Sequence, residues 1–210
     1  MGIAERKERE KKERRREIMD AAKRLFSSKG FAGTTMEDIA GEVELSPATL
    51  YLYFRNKEEL YAAFSLKIMG TLLERLDRLQ SGAERNPENE IRVLKEELYK
   101  LYESDPLIFQ NVFHFQTSEN YKNMSPELVN EVKVFAGGAL GSVAEIFEYG
   151  IRKRVFKDRN PIALADALWG MFTGIAIWEE SKAAFDPNKR YMKETLDLAF
   201  EVFIQGIKNT

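Results

Sequence analysis

The chain has 210 residues, of which 44% are hydrophobic and 31% are charged, with 32 Lys and Arg against 34 Asp and Glu. This composition is typical of a soluble globular protein with one small and one larger domain. The chain has no cysteine, which excludes disulfides, thiolate catalysis and cysteine-bound metal centres. No apolar run approaches the roughly 20 residues of a membrane span, and the N-terminus is charged rather than a signal sequence. We therefore expect a cytoplasmic protein without membrane contact.

Charge is distributed unevenly along the chain. Residues 1–29 carry 11 Lys and Arg against 6 Asp and Glu, residues 30–60 carry 2 against 6, and residues 61–210 carry 19 against 22. A basic N-terminal arm thus precedes an acidic body. Such arms often bind nucleic acid.

The arm has two interpretations, and the sequence leaves both open. Arg14, Arg15 and Arg16 can reach DNA phosphates or the minor groove. Alternatively, the arm is a solvated helical extension, because acidic and basic residues recur at i, i+4 spacing. These pairs are Glu5 with Arg9, Glu8 with Lys12, and Glu10 with Arg14.

The first amphipathic helix has apolar residues at i, i+3, i+4, i+7 and i+8, which are Ile18, Ala21, Ala22, Leu25 and Phe26. Lys29 and Gly30 are typical of a helix end, since glycine can adopt a positive φ.

Three further helix starts follow closely. Thr34, with Glu37 three residues later, predicts an N-cap with a capping box. Ser46 followed by Pro47 predicts the next N-cap, and Asn56 the one after it. The middle helix has only about two turns, with Leu50 and Phe54 facing inward. A helix this short is marginal by itself.

This spacing is typical of a helix-turn-helix, whose second helix contacts base edges in the major groove. Small hydroxyl and methyl groups at its start permit close approach to the bases, and Tyr51 or Tyr53 can face phosphates. Thr35 and Lys57 lie at helix N-termini, where an anion is favoured. The alternative for each residue is a cap or a packed side chain. The predicted DNA-binding residues are Thr35, Ser46, Pro47, Ala48, Thr49, Tyr51, Tyr53 and Lys57.

The helical period continues to the C-terminus, so the sequence predicts an all-α protein of about nine helices. The fourth helix extends from Asn56 to Ser81-Gly82, and another begins at Asp105-Pro106. Ser125-Pro126 predicts the start of a long helix ending near Arg154, and Asn160-Pro161 predicts the start of the next.

The N-terminal segment resembles the DNA-binding domain of the tetracycline-repressor (TetR) family of bacterial transcriptional regulators. The family usually has Ala-Gly-Val-Ser where this chain has Val43-Glu44-Leu45-Ser46, so the turn either is built differently or stores strain. The matching residues are Ala22, Leu25, Phe26, Gly30, Thr34, Thr35, Ile39, Ala40, Ser46, Thr49, Leu50, Tyr51, Tyr53, Phe54, Lys57, Glu59 and Leu60.

The resemblance implies a homodimer and a C-terminal domain that binds an inducer. It places the dimer interface on the last two long helices, Pro161–Lys182 and Tyr191–Lys208. Both have apolar residues on more than one face, which indicates a second partner. They include Leu164, Leu168, Phe172 and Ile175 in the first, and Leu198, Ala199, Val202 and Phe203 in the second.

Aromatic side chains are dense in this C-terminal region, as in apolar ligand pockets between helices. Aromatic stripes are also ordinary core, so it is the resemblance that favours a pocket for a small apolar or aromatic ligand. The predicted ligand-binding residues are Phe109, Phe113, His114, Phe147, Trp169, Phe172 and Trp178.

The sequence therefore predicts a ligand-responsive DNA-binding regulator. Residues 1–57 would form the arm and helix-turn-helix domain, and residues 58–210 the ligand-binding and dimerisation domain. The chain has a single histidine and no cysteine, so we expect no catalytic site, metal or cofactor. The alternative is a TetR-like architectural or protein-interaction factor that binds DNA without a small-molecule ligand.

Overall fold

The computed structural model describes residues 2–82, 85–104, 124–186 and 188–209, and their regular elements are α-helices. This confirms the predicted all-α class. The helix predicted to begin at Asp105-Pro106 lies outside the described residues. The eight described helices are α1 (Ile3–Gly33), α2 (Met36–Glu42), α3 (Pro47–Leu50), α4 (Lys57–Gln80), α5 (Pro87–Ser104), α6 (Pro126–Arg152), α7 (Pro161–Phe185) and α8 (Met192–Ile207).

The chain forms two compact units. The N-terminal unit comprises Met1–Lys67 with Glu119–Glu131, and the C-terminal unit comprises Ile68–Ser118 with Val132–Thr210. Both α4 and α6 therefore contribute residues to each unit. The predicted functional division at residues 57 and 58 stays a prediction.

The N-terminal unit has its core where the amphipathic pattern predicts it. Apolar side chains of α1 and α2 meet those flanking α3, and α2 packs against both α1 and α3. The aromatic rings of Phe26, Phe31 and Tyr61 pack against one another in this core, with centroid distances of 5.1–5.4 Å. The fully buried members include Ile18, Ala21, Ala22, Ile39, Ala40, Leu50, Phe54 and Leu60.

Gly30 breaks α1 near its end. Its φ of 74° and ψ of 163° lie in a region that is essentially restricted to glycine. The predicted stop at Gly30 is confirmed, although one further helical turn reaches Gly33.

The C-terminal unit is built around α8, which packs against α5 and α7. Asn160 caps α7 as predicted, because its Oδ1 accepts hydrogen bonds from the backbone N–H groups of Ile162 and Ala163 at 3.0 and 3.3 Å. After α6 the chain turns tightly. Gly150 lies beneath the Phe156 ring so closely that a Cβ there would come within 2.2 Å of it.

Helix α7 has apolar surface on two sides. Leu168 and Phe172 are buried within the chain, whereas Ile162, Trp178 and Phe185 are exposed. Among the described helices α7 alone has the length and composition that a membrane crossing requires. The expectation that no apolar run approaches the length of a membrane span is therefore wrong for this helix. A helix that is buried against other helices on both of its faces is apolar all round in the same way as a membrane-spanning helix.

Candidate DNA-binding surface

Helix α2 opens with reciprocal hydrogen bonds between Thr35 and Asp38. The Thr35 hydroxyl accepts from the Asp38 N–H at 3.0 Å, and the Asp38 carboxylate accepts from the Thr35 N–H at 2.9 Å. The predicted cap at Thr34 is therefore wrong by one residue. Thr34 is buried, and its hydroxyl donates instead to the carbonyl oxygen of Gly30 at 2.8 Å.

The turn between α2 and α3 keeps a compact geometry despite its lack of glycine. The Leu45 N–H donates to the Ala40 carbonyl at 2.9 Å, and the Glu44 N–H donates to the Gly41 carbonyl at 3.2 Å. Glu44 adopts a left-handed conformation with φ of 54°. Glu44 thus occupies a left-handed position that usually holds glycine in such turns. Because its Cβ lies close to the following carbonyl oxygen in this conformation, the turn is strained.

Helix α3 and its N-cap carry four of the predicted DNA-binding residues, Ser46–Thr49, and its four residues make one turn rather than the predicted two. Ser46 is its N-cap, with Oγ accepting from the Thr49 N–H at 3.1 Å and lying 2.8 Å from Thr49 Oγ1. Pro47 occupies the first helical position, as predicted. Beyond Leu50 the chain continues in tight turns to the buried Phe54, so Leu50 and Phe54 anchor this segment at both ends. We call Ser46–Phe54 the reading segment.

Arg15 holds the end of the reading segment from within α1. Its Nη1 donates to the Tyr53 carbonyl at 2.6 Å, and its guanidinium lies 4.2 Å from the centroid of the Phe54 ring. Arg15 is therefore a packing residue, which sequence reasoning missed by grouping it with the arm. Tyr53 is half-buried, whereas Tyr51 faces solvent.

Lys57 is directed toward the protein. Its Nζ donates to the carbonyl oxygens of Phe31 and Thr34 at 2.7 and 3.0 Å and lies 4.5 Å from the centroid of the Phe31 ring. These contacts fix the start of α4 to the segment between α1 and α2. The predicted contact of Lys57 with DNA stays a prediction.

A buried carboxylate supports the loop after the reading segment. Glu59 accepts from the Arg55 N–H at 2.7 Å and from the Ser125 N–H at 3.3 Å. The Arg55 Nη1 donates to the Met124 carbonyl at 3.1 Å, beside the same contact. The residues before α6 are thereby tied to the loop that follows the reading segment. Nothing in the sequence pattern indicates this pairing, because 66 residues separate its partners.

The basic arm is helical, which supports the helical-extension interpretation. Arg6 pairs with Glu10 and Arg14 with Glu17, each at 2.7 Å. Of the three predicted pairs, Glu8 with Lys12 is present at 3.9 Å. Such exposed pairs contribute little to stability, so their charges stay available to another partner. Arg16 is exposed and forms no ion pair within the described part of the chain.

The predicted ligand-binding residues divide into three groups. Phe109, Phe113 and His114 lie outside the described residues. Phe147 is buried and packs on Phe156 and Phe203 at ring distances of 6.1 and 5.9 Å, while Trp169 lies 6.2 Å from Phe172. Trp178 is 64% exposed. Ring contacts thus account for three of these residues as packing, and their predicted ligand contacts stay predictions.

A short helix anchored by its neighbours, after a tight turn and beside a basic helix, defines a helix-turn-helix protein. Residues 18–64 match the sequence model described as "Bacterial regulatory proteins, tetR family". This segment of the chain is therefore similar to the N-terminal region of the tetR family of bacterial regulatory proteins.

The chain is similar in sequence to a bacterial regulator and in fold to two solved structures. The chain is 30% identical over 129 residues to IcaR of Staphylococcus aureus, the negative transcriptional regulator of the biofilm operon icaADBC. That match spans 61% of this chain and 61% of the relative. FadR of Thermus thermophilus, solved with lauroyl-CoA, has a TM-score of 0.67 and 20% identity over 93% of this chain and 96% of its own. SmeT, repressor of a Stenotrophomonas maltophilia multidrug efflux pump, has a TM-score of 0.66 and 20% identity over 93% and 90%. The two structures show a shared fold.

Glu44→Gly should raise the free energy of unfolding by about 0.5–1 kcal/mol, because glycine adopts a left-handed conformation without the Cβ clash. Urea denaturation of the full chain measures this. Glu44→Ala is the matched control, since it removes the same carboxylate but keeps the Cβ, and it should give no gain. Equal effects of both variants would show that the charge, rather than the backbone, is responsible.

Hydrogen bonds from the Lys29 ammonium and from the Thr35 N–H and hydroxyl lower the pKa of the Asp38 carboxyl from 3.8 to about 2. A lowered pKa in the folded state stabilises the fold above about pH 4, and this contribution disappears as the pH falls toward 2. We expect Asp38→Asn to destabilise the protein at pH 6 and to differ less from the original chain at pH 3.

Urea denaturation at pH 6, 4 and 3 compares the Asp38→Asn variant with the original chain. Glu37→Gln, which alters an exposed carboxylate in the same helical turn, is the control. A destabilisation by Asp38→Asn that is the same at all three pH values would contradict the role of the ionised carboxylate.

Proposed function

We propose that the protein is a cytoplasmic, ligand-responsive transcriptional repressor that binds a two-fold operator as a homodimer. The observation that carries this proposal is the exposed reading segment, which Leu50, Phe54, Arg15 and Glu59 hold in place from the protein side. In such a dimer the two reading segments would enter successive major grooves about 34–36 Å apart. The predicted contacts are those of Thr35, Ser46, Pro47, Ala48, Thr49, Tyr51, Tyr53 and Lys57.

The distribution of charge suggests that the arm and the reading region would have different roles in this complex. Residues 30–60 carry 2 basic and 6 acidic side chains, so the reading region contributes little attraction to phosphates. The arm carries 11 basic against 6 acidic side chains over residues 1–29. Its cations, including the exposed Arg16, would supply the counterion release on which DNA affinity depends.

A small apolar or aromatic molecule is the proposed inducer. FadR of Thermus thermophilus was solved with lauroyl-CoA, and SmeT is the repressor of a multidrug efflux pump. A ligand that binds one conformation of the C-terminal unit more tightly would shift α4, which is one continuous helix from Lys57 to Gln80. The distance between the two reading segments would then no longer match the roughly 34–36 Å between successive major grooves. The alternative is a TetR-like architectural or protein-interaction factor that binds DNA without a small-molecule ligand.

DNA binding is tested by a gel shift with the intergenic DNA upstream of the gene, at two salt concentrations and with competitor DNA. We expect a competitor-resistant shift that weakens at the higher salt. Arg16→Ala should weaken binding and reduce the slope of log affinity against log salt by about 1.8, because each of the two subunits would lose one phosphate contact. Lys133→Ala, on α6, is the control and should leave both unchanged. Binding without competitor resistance would favour the architectural factor.

The dimer is expected to form through α7 and α8, where Leu198 and Val202 are 62% and 63% exposed. Analytical ultracentrifugation should give twice the 24.2 kDa mass of the chain. Glu at both positions would place charges in an apolar interface and should yield monomers. Val134→Glu, on the exposed side of α6, is the control and should stay dimeric. A dimer that survives both Glu substitutions would place the interface elsewhere.

A further inference from the structure

The reading segment exposes apolar surface that the rest of its unit does not. Among the described residues of the N-terminal unit, the large hydrophobic side chains that remain exposed are Tyr51 at 46% and Leu52 at 80%. They are adjacent and follow the exposed Pro47 and Ala48. Leu52 lies in the turn just beyond α3, four residues after Ala48, and its N–H donates to the Thr49 carbonyl at 3.2 Å. The exposed apolar side chains of Ala48 and Leu52 thus both belong to the reading segment.

The polar groups that usually identify purines are missing from the reading segment. Ser46–Phe54 contains no Arg or Lys to pair with guanine, and no Asn or Gln to pair with adenine. Its two small hydroxyls, on Ser46 and Thr49, lie 2.8 Å apart, and the Ser46 oxygen also accepts from a backbone N–H. Hydrogen-bond readout from this segment therefore falls mainly to the Tyr51 phenol.

Apolar readout remains, and the major groove offers one apolar group, the 5-methyl of thymine. We propose that Ala48 and Leu52 form an apolar reading surface that selects thymine methyl groups, so that the operator half-site carries thymines opposite them. The inference rests on the proposed DNA binding and specifies the base chemistry that binding requires. Contact with a methyl group would remove part of the exposed Leu52 side chain from water, which stabilises the complex.

The experiment begins with selection of binding sites from a random duplex library by the full-length protein at fixed salt. Each thymine of the selected half-site is then replaced by uracil, which removes the 5-methyl group and keeps the base pairing. We expect one or two positions per half-site to lose about threefold to fivefold in affinity for each methyl removed. Thymines outside the half-site should tolerate the replacement.

A double-mutant cycle assigns the effect to Leu52. Leu52→Ala should weaken binding to the thymine duplex and bind the thymine and uracil duplexes about equally. Val134→Ala truncates an exposed apolar side chain on α6 and should keep the sensitivity to uracil of the original chain. Circular dichroism checks that both variants are folded. Since both side chains are exposed, we expect unchanged spectra.

Two results would overturn the inference while DNA binding itself remained intact. One is a selected site whose affinity is unchanged by uracil at every thymine. The other is a Leu52→Ala variant that is as sensitive to uracil as the original chain. Failure to enrich any sequence would instead overturn the proposed sequence-specific function, and the inference with it.

Discussion

The N-terminal unit depends on the support of a helix too short to be stable alone. Helix α3 has four residues, whereas isolated helices need roughly 12 or more to persist in water. Burial of Leu50 and Phe54 holds the reading segment from below, and Arg15 closes its end through the Tyr53 carbonyl and the Phe54 ring. Because these contacts supply most of the stability of the reading segment, its solvent-facing side chains do not have to pack against the core. Tyr51 and Leu52 can therefore be exposed, and substitutions of these two residues should alter DNA binding more than folding.

Local signals in the sequence predicted the fold well, because caps and apolar periods depend on near neighbours. Ser46, Asn56 and Asn160 accept hydrogen bonds from the backbone at the helix starts where the sequence placed them. The error at α2 has a local cause. Thr34 and Thr35 are both capping residues, and each is followed three positions later by an acid, so the pattern fits either register. Burial of Thr34 and its hydrogen bond to Gly30 decide the register, and both depend on the kink in α1.

The roles that the sequence could not predict belong to charged side chains with distant partners. Arg15 and Lys57 looked like phosphate ligands because clustered or helix-terminal cations often are, yet both donate to backbone carbonyls within the N-terminal unit. Glu59 looked like an ordinary acid of a first helical turn, and its bond to the Ser125 N–H spans 66 residues. The structure thereby connects the residues before α6 to the loop beyond the reading segment through this buried carboxylate and through the hydrogen bond from Arg55 to the Met124 carbonyl. Such a contact has two clear states, made or broken, which is what a coupling element between a ligand site and a DNA-binding site requires.

Separation of charge from the reading segment has a consequence for how such a regulator recognises DNA. Phosphate contacts give affinity that depends on salt and carry no sequence information, whereas base contacts give specificity. Among the described residues of the N-terminal unit the exposed cations lie largely in the helical arm, and the reading segment has no charged side chain. Salt should therefore change affinity through the arm and leave the preference between operator and other DNA nearly constant. In the proposed complex, changes in the arm would alter affinity, whereas changes at Ala48, Tyr51 or Leu52 would alter which sequence is selected.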